Sequence, residues 1–126
     1  MQPGDLKYNR DHVWVRNDDG VATIGITDHA QSELGDIVYV ELPEVGKEVV
    51  KGNMVATVES VKTVSDIISP VSGRVRKVNE SLVETPEIIN EDPYGSGWLV
   101  SIEISNPTEL EDLITEEEYK QFVHEN

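Results

Sequence analysis

The sequence predicts a mainly β domain, largely antiparallel, with one short internal helix and helices at the C-terminus. Three observations predict it. Short runs rich in Val, Ile and Thr are broken repeatedly by Gly, Pro, Asn and Asp, which is how strands and their turns read. Trp98, Val100, Ile102 and Ile104 alternate with Leu99, Ser101 and Glu103, as a strand with one buried face should. Beyond Asn106 the apolar spacing changes to that of a helix.

Taken in order, the first strands are predicted at His12 to Arg16, Val21 to Thr27 and Asp36 to Leu42. Between the last two lies a short helix, with Asp28 as its cap, Gln31 closing a capping box and Gly35 ending it. Further strands pass through Val49-Val50, Met54 to Glu59, Val64 to Ser69 and Arg74 to Val78. In the tail, Asn106 before Pro107 reads as a cap with Pro at the first helical position, and Thr115 with Glu118 forms a second capping box. Tyr119, Phe122 and Val123 then share one face of the last helix, which is expected to pack on the sheet and to carry no chemistry.

Length and charge narrow the function. The 126 residues suit one domain with its own core, 1–126, with a helical extension at about 106–126. The net charge of -15 repels phosphate backbones and anionic lipid, so neither nucleic acid nor a membrane is an expected partner. No apolar run is long enough to span a bilayer. The start, Met1-Gln2-Pro3-Gly4-Asp5-Leu6-Lys7, lacks the order of a signal or transit peptide, and a bacterial cytoplasmic location is expected. With no Cys in the chain, any redox or acyl-transfer chemistry must come from an attached or bound group.

One internal echo organises the centre. Lys51-Gly52-Asn53-Met54-Val55 resembles Val71-Ser72-Gly73-Arg74-Val75, each read as a turn glycine leading into a new strand, and Lys62 falls midway between the two. A hairpin tip near Lys62 follows. A lysine at such a tip is usually only a solvated turn charge, but its company here is specific: Glu59-Ser60-Val61 before it, Ser65-Asp66 after it, and Ser69-Pro70-Val71-Ser72-Gly73 on the return.

With these residues the sequence resembles the lipoyl and biotinyl carrier domains and, among them, the glycine cleavage H-protein family. The resemblance runs nearly end to end. It includes Tyr8 with His12 and Trp14, Gly25-Ile26-Thr27-Asp28-His29-Ala30-Gln31, Leu34-Gly35-Asp36-Ile37-Val38 and Leu42-Pro43. It continues through Glu59-Ser60-Val61-Lys62, Pro70-Val71-Ser72-Gly73, Asn90, Pro93-Tyr94-Gly95 and Gly97-Trp98. The resemblance implies a flattened, barrel-like sandwich (hybrid motif) of two antiparallel sheets, with lipoic acid covalently attached to Lys62 on a hairpin. It implies a carrier rather than an enzyme, and with it three partners. Glycine decarboxylase (P-protein) loads an aminomethyl group, a tetrahydrofolate-dependent aminomethyltransferase (T-protein) removes it, and dihydrolipoyl dehydrogenase (L-protein) reoxidises the dithiol. Lipoylating enzymes are implied as well, with Glu59 and Asp66 helping them, or the docked arm, to recognise the lysine.

The rival readings divide on a few residues. A biotin carrier would share the hairpin but typically flanks the lysine with methionines, where this chain has Val61 and Thr63. Lipoyl domains of 2-oxo acid dehydrogenases usually carry Asp just before the lysine. A lipoyl relay that passes the group to other enzymes is a further alternative. A hydrolytic or metal-dependent enzyme has little support, since His12, His29 and His124 have no metal-ligand spacing. Tyr94, Gly95 and Trp98 read as turn and core residues and are assigned no site. One departure from the family stands out in Asp11-His12-Val13-Trp14, where a Glu is usual at the position of Val13. By resemblance that Glu belongs to a cleft that holds the loaded arm through its ammonium group. Asp66 is therefore expected to hold the amine, helped by Asp11, which period-two spacing places on the same face as Val13.

Overall fold

The computed structural model describes residues 6–125, so Met1–Asp5 and Asn126 lie outside the described residues, as do the side chains of His124 and Glu125. The strands are β1 (Lys7–Tyr8), β2 (Val13–Asp18), β3 (Val21–Ile26), β4 (Ile37–Glu41), β5 (Glu48–Val49), β6 (Met54–Ser60), β7 (Val64–Ile68), β8 (Gly73–Val78) and β9 (Val100–Ile104). Helices α1 (Asp28–Leu34), α2 (Ser81–Glu84), α3 (Ile88–Glu91) and α4 (Glu116–Glu125) join them, with a 3-10 turn over Pro107–Asp112. One sheet has six strands in the order β1-β2-β3-β9-β8-β5 and the other three in the order β4-β6-β7. Every pairing is antiparallel. The result is the barrel-like sandwich the sequence predicts.

The main core lies between the sheets. Val13, Val15, Ile24 and Ile102 from the large sheet meet Val40, Val58 and Ile67 from the small one. Strand β2 buries its other face too. Trp14 points into a second cluster with Leu6, Tyr8, Ile114 and Tyr119, against which Phe122 and Val123 of α4 pack. The tail helix thus uses the face its spacing predicts. Its capping box also forms: the Thr115 N–H donates to Glu118 Oε1 at 2.9 Å, and the Glu118 N–H donates to Thr115 Oγ1 at 3.2 Å.

Several local expectations are corrected. Thr27, not Asp28, caps α1, because Thr27 still follows the strand, its N–H bonded to His12 O, and its Oγ1 accepts from the Ala30 N–H at 3.2 Å. Gln31 closes no capping box; its Nε2 donates to the Asp28 carboxylate. The helix expected after Asn106 forms over Pro107–Asp112 as a 3-10 helix, and Asn106 caps it by accepting from the Thr108 N–H. The strand near Val49 is Glu48–Val49, and β9 begins at Val100 rather than Trp98, whose indole packs against the second cluster. Gly73 is no turn glycine; it opens β8, where an added Cβ would fall 2.0 Å from Glu103 O. The echo is nevertheless real in space, since the Lys51 N–H donates to Ser72 Oγ. Strand β1 and helices α2 and α3 had no expectation attached.

Trp14 also dictates its cross-strand neighbour. Its indole donates from Nε1 to Pro93 O at 2.8 Å and lies across Gly25, so that an added Cβ would sit 2.7 Å from the ring. Gly25→Ala is expected to lower stability by about 1–3 kcal/mol through overpacking, read by urea unfolding. Wild-type stability would show that the indole can move aside.

Candidate lysine attachment site

Strands β6 and β7 form a hairpin whose connection is Val61-Lys62-Thr63, all exposed. Buried Ser60 locks this turn from inside. Its N–H donates to Thr63 O at 2.8 Å, while its Oγ accepts from the Lys62 N–H at 3.1 Å and the Thr63 N–H at 3.2 Å. The turn is also braced from the neighbouring strand, for the Val61 N–H donates to Asp36 O at 3.0 Å. The Lys62 side chain crosses Gly35, the residue that ends α1 with φ +82, and a Cβ there would stand 3.2 Å from Lys62 Cε. Sequence reading quoted Ser60 and Gly35 but gave neither a part in presenting the lysine.

Register separates the two faces of the small sheet. Tyr39, Glu59 and Val64 stand in one cross-strand row, and Glu41, Thr57 and Asp66 in the next but one. The row between, Val40, Val58 and Ser65, faces the other way. Glu59 and Asp66 therefore share the outer, solvent face with Tyr39 and Val64, both about half exposed at 49% and 57%. A bulge between Ile37 and Tyr39 turns Val38 outward as well.

On the opposite side a groove of about 230 Å³ runs between α1 and β7. Ile26, Ala30, Leu34 and Ile67 give it an apolar floor; Asp11, His29, Glu33 and Ser65 give it a polar margin. Leu34 is followed by Gly35, so the groove ends one residue from the glycine under the lysine stem. These residues suit a long aliphatic arm with a polar end. Asp66 is not among those lining the groove, being on the other face of β7 from Ser65 and Ile67, and the structure gives it no contact with an arm lying there. Val13 is not on the groove either; it is fully buried in the main core. The expectation that Asp11 and Val13 share a face fails because His12 has φ 66, which breaks the strand alternation between them. Asp11 and Glu33 are the carboxylates the groove does present.

His12 and His29 close the groove's far side. Their rings are 4.8 Å apart, and His29 Nε2 lies 3.5 Å from Glu33 Oε1. His12 Nδ1 is 2.7 Å from the Tyr119 hydroxyl, which is 2.7 Å from Thr27 Oγ1, so strand, tail helix and cap of α1 meet in one chain of hydrogen bonds. Burial pushes the Tyr119 hydroxyl up to about 12. Among the described residues no group of three or more metal-ligating side chains comes together.

The chain matches the family model described as Glycine cleavage H-protein over residues 6–126. The chain belongs to the glycine cleavage H-protein family. It is 51% identical over 123 residues to the glycine cleavage system H protein of Carboxydothermus hydrogenoformans, an alignment covering 98% of this chain and 95% of that one. With the Thermotoga maritima H protein it shares 56% over 116 residues, covering 92% and 94%. The crystal structure of an H protein from Mycobacterium marinum superposes with a TM-score of 0.91 at 42% identity, covering 98% of this chain and 99% of that one. Members of this H-protein family are lipoyl carriers of the glycine cleavage system. Among the described residues no helix is long and apolar enough to cross a membrane.

The geometry of β2 and the residue before it can be tested in two ways. Val13→Glu would bury a carboxylate without a partner and is expected to destabilise the fold by about 3 kcal/mol or more in denaturant unfolding; an unchanged midpoint would put residue 13 on the groove after all. His12 takes up a proton less readily than an unfolded-state histidine, first because it is buried and then because His29 lies beside it; Asp11 and Glu33 oppose the shift. The unfolded chain therefore binds more protons once the pH drops below about 6.5. Stability should fall with pH from there down toward the lower folded-state value. His12→Asn, which tolerates the left-handed backbone, is expected to flatten the slope of unfolding free energy between about pH 7 and 5. Parallel slopes would show that His12 does not titrate differently on folding.

Proposed function

We propose that Lys62 carries lipoic acid in amide linkage and that this chain shuttles an aminomethyl group within the glycine cleavage system. The observation that carries the reading is the lysine itself: an exposed tip residue on a turn locked by Ser60, lying over a bare glycine at the mouth of an apolar groove. In attachment, the deprotonated Lys62 amine attacks the carbonyl of an activated lipoyl donor. A C–N bond forms, the donor's leaving group departs with its electron pair, and one of the two amine protons passes to solvent, the other staying on the amide nitrogen. Bound lipoate would supply a disulfide that accepts the aminomethyl group from glycine decarboxylase (P-protein), an arm that presents it to the aminomethyltransferase (T-protein) and, once the group has left, a dithiol for dihydrolipoyl dehydrogenase (L-protein) to reoxidise.

The chain's own residues then have three tasks and catalyse no step. Ser60 and Asp36 O hold the turn, Gly35 lets the stem lie flat, and the groove shelters the arm with Asp11 and Glu33 as counter-charges for an ammonium end. Glu59 and Asp66 serve the other face. Interleaved with Tyr39 and Val64, they offer lipoylating enzymes an apolar strip studded with carboxylates, which suits a basic, apolar partner surface. Residues 1–126 act as one lipoyl-carrier domain in the bacterial cytoplasm.

The test is Lys62→Arg in a reconstituted system. An exposed tip tolerates the change, so the folded state should keep its unfolding midpoint within about 0.5 kcal/mol, while lipoate incorporation and glycine decarboxylation are lost because a guanidinium does not accept the acyl group. Intact mass and sequencing of the Lys62 peptide from native protein should show one lipoyl group there, and would separate lipoyl from biotinyl. Retained activity in folded Lys62→Arg protein would overturn the assignment.

A further inference from the structure

We propose that Asn90 is a positioning residue for Lys62, acting through the backbone of Asp36. Asn90 lies on α3, remote in sequence from the hairpin, yet its side chain spends all of its capacity on one short segment. Nδ2 donates to Gly35 O at 2.9 Å and to Gln31 Oε1 at 2.9 Å, and Oδ1 accepts from the Ile37 N–H at 2.9 Å. The amide thus grips the peptide groups on both sides of Asp36.

That segment is the one on which the lysine depends. Asp36 O accepts from the N–H of Val61, the residue before Lys62, and Gly35 is the floor under the Lys62 stem, 3.2 Å from Cε where a Cβ would be. If Gly35–Ile37 drifts, the brace and the floor move together. Only a primary amide offers two donors and an acceptor at this reach. Asn90→Asp would keep the acceptor for Ile37 but set a carboxylate against Gly35 O and Gln31 Oε1, so this change removes the grip on one side while leaving the other.

The inference rests on the reading that Lys62 is lipoylated, and the experiment separates the two. Full-length apo protein is prepared as wild type, Asn90→Ala and Asn90→Asp. Amide exchange is followed at Val61 and at Val75, whose N–H is bonded to Lys47 O away from the hairpin. Lipoylation is assayed with a lipoate ligase, lipoate and ATP. In both variants the Val61 amide is expected to exchange about ten-fold faster while Val75 is unchanged. Lipoylation kcat is expected to fall about ten-fold with KM for the protein little altered, since the outer face that meets the ligase stays intact while the amine is misplaced. Asn90→Asp, which keeps the acceptor for Ile37 but adds repulsion at Gly35 O, should fall by a comparable factor. Should Asn90→Ala not fold, Asn90→Asp decides alone. Wild-type kcat in a folded variant, or equal acceleration at Val61 and Val75, overturns the proposal by leaving Asn90 only a general stabilising role. Wild-type protein that accepts no lipoate sinks the carrier reading instead, and the Val61 exchange comparison still decides whether Asn90 braces the turn.

Discussion

The first half of strand β2, Val13 to Val15, is buried on both faces, and most of the molecule's layout follows from that. Val13 and Val15 point into the space between the sheets, while Trp14 and its neighbours need a cover of their own. Tyr8 of β1 and Tyr119 of α4 supply it, their rings stacked 4.6 Å apart. Closing α4 over β2 brings the Tyr119 hydroxyl to His12 and Thr27, which fixes where α1 starts. Helix α1 in turn forms one wall of the groove and ends under the lysine. A chain of this length with so little helix would otherwise expose the indole edge and both tyrosines, an apolar cost of roughly 1.5–3 kcal/mol for each large side chain. The C-terminal helix is therefore part of what shapes the site, through the cap of α1 rather than through any contact of its own with the lysine turn.

Presentation of the lysine poses the opposite problem. A tip residue must stand in solvent, where there is no packing to hold it, so its order has to come from hydrogen bonds to the turn's own backbone. Ser60 is the last buried residue of β6 and satisfies two amides of the turn with a single oxygen. The Asp36 carbonyl extends the β4–β6 ladder one residue past its last pair, Ile37 with Ser60. Among the described residues no buried side-chain polar atom lacks a partner. Strength in this part of the molecule comes from complete pairing rather than from bulk.

Much of this was legible in the sequence. The β-rich class, the hairpin at Lys62, the end of α1 at Gly35 and the packing face of α4 each rest on a local pattern: period-two alternation, a turn residue, or apolar residues one helical turn apart. What stayed hidden depended on partners distant in the chain. Thr27 won the cap from Asp28 because the strand continues to it through His12, a pairing that local capping preference does not see. Helices α2 and α3 span four residues each, too short to accumulate a period, although Leu82 and Ile89 anchor them in the core. The family resemblance placed position 13 on the cleft, and Asp11 was put on the same face as Val13 because period-two spacing was carried through His12. A left-handed backbone is uncommon for any residue but glycine, and the turn signal of Asn9 and Asp11 was outweighed by the strand pattern read from His12 to Arg16. Asp66 was placed at the arm's amine by the family resemblance, and β7 alternation puts it on the face opposite Ser65 and Ile67.

The same alternation gives the small sheet two different surfaces. The row of Tyr39, Glu59 and Val64 and the row of Glu41, Thr57 and Asp66 face outward, while Ser65 and Ile67 face the groove. Lys62 stands on the ridge where the two faces meet. On the proposed reading, an enzyme approaching the outer face meets carboxylates and exposed apolar groups with the amine at their edge, and the arm, once released, falls to the other side onto Ile26, Leu34 and Ile67. The two surfaces need not be the same shape or charge, and here they are not. A sheet three strands wide provides both, because each step along a strand changes the face and the turn belongs to neither.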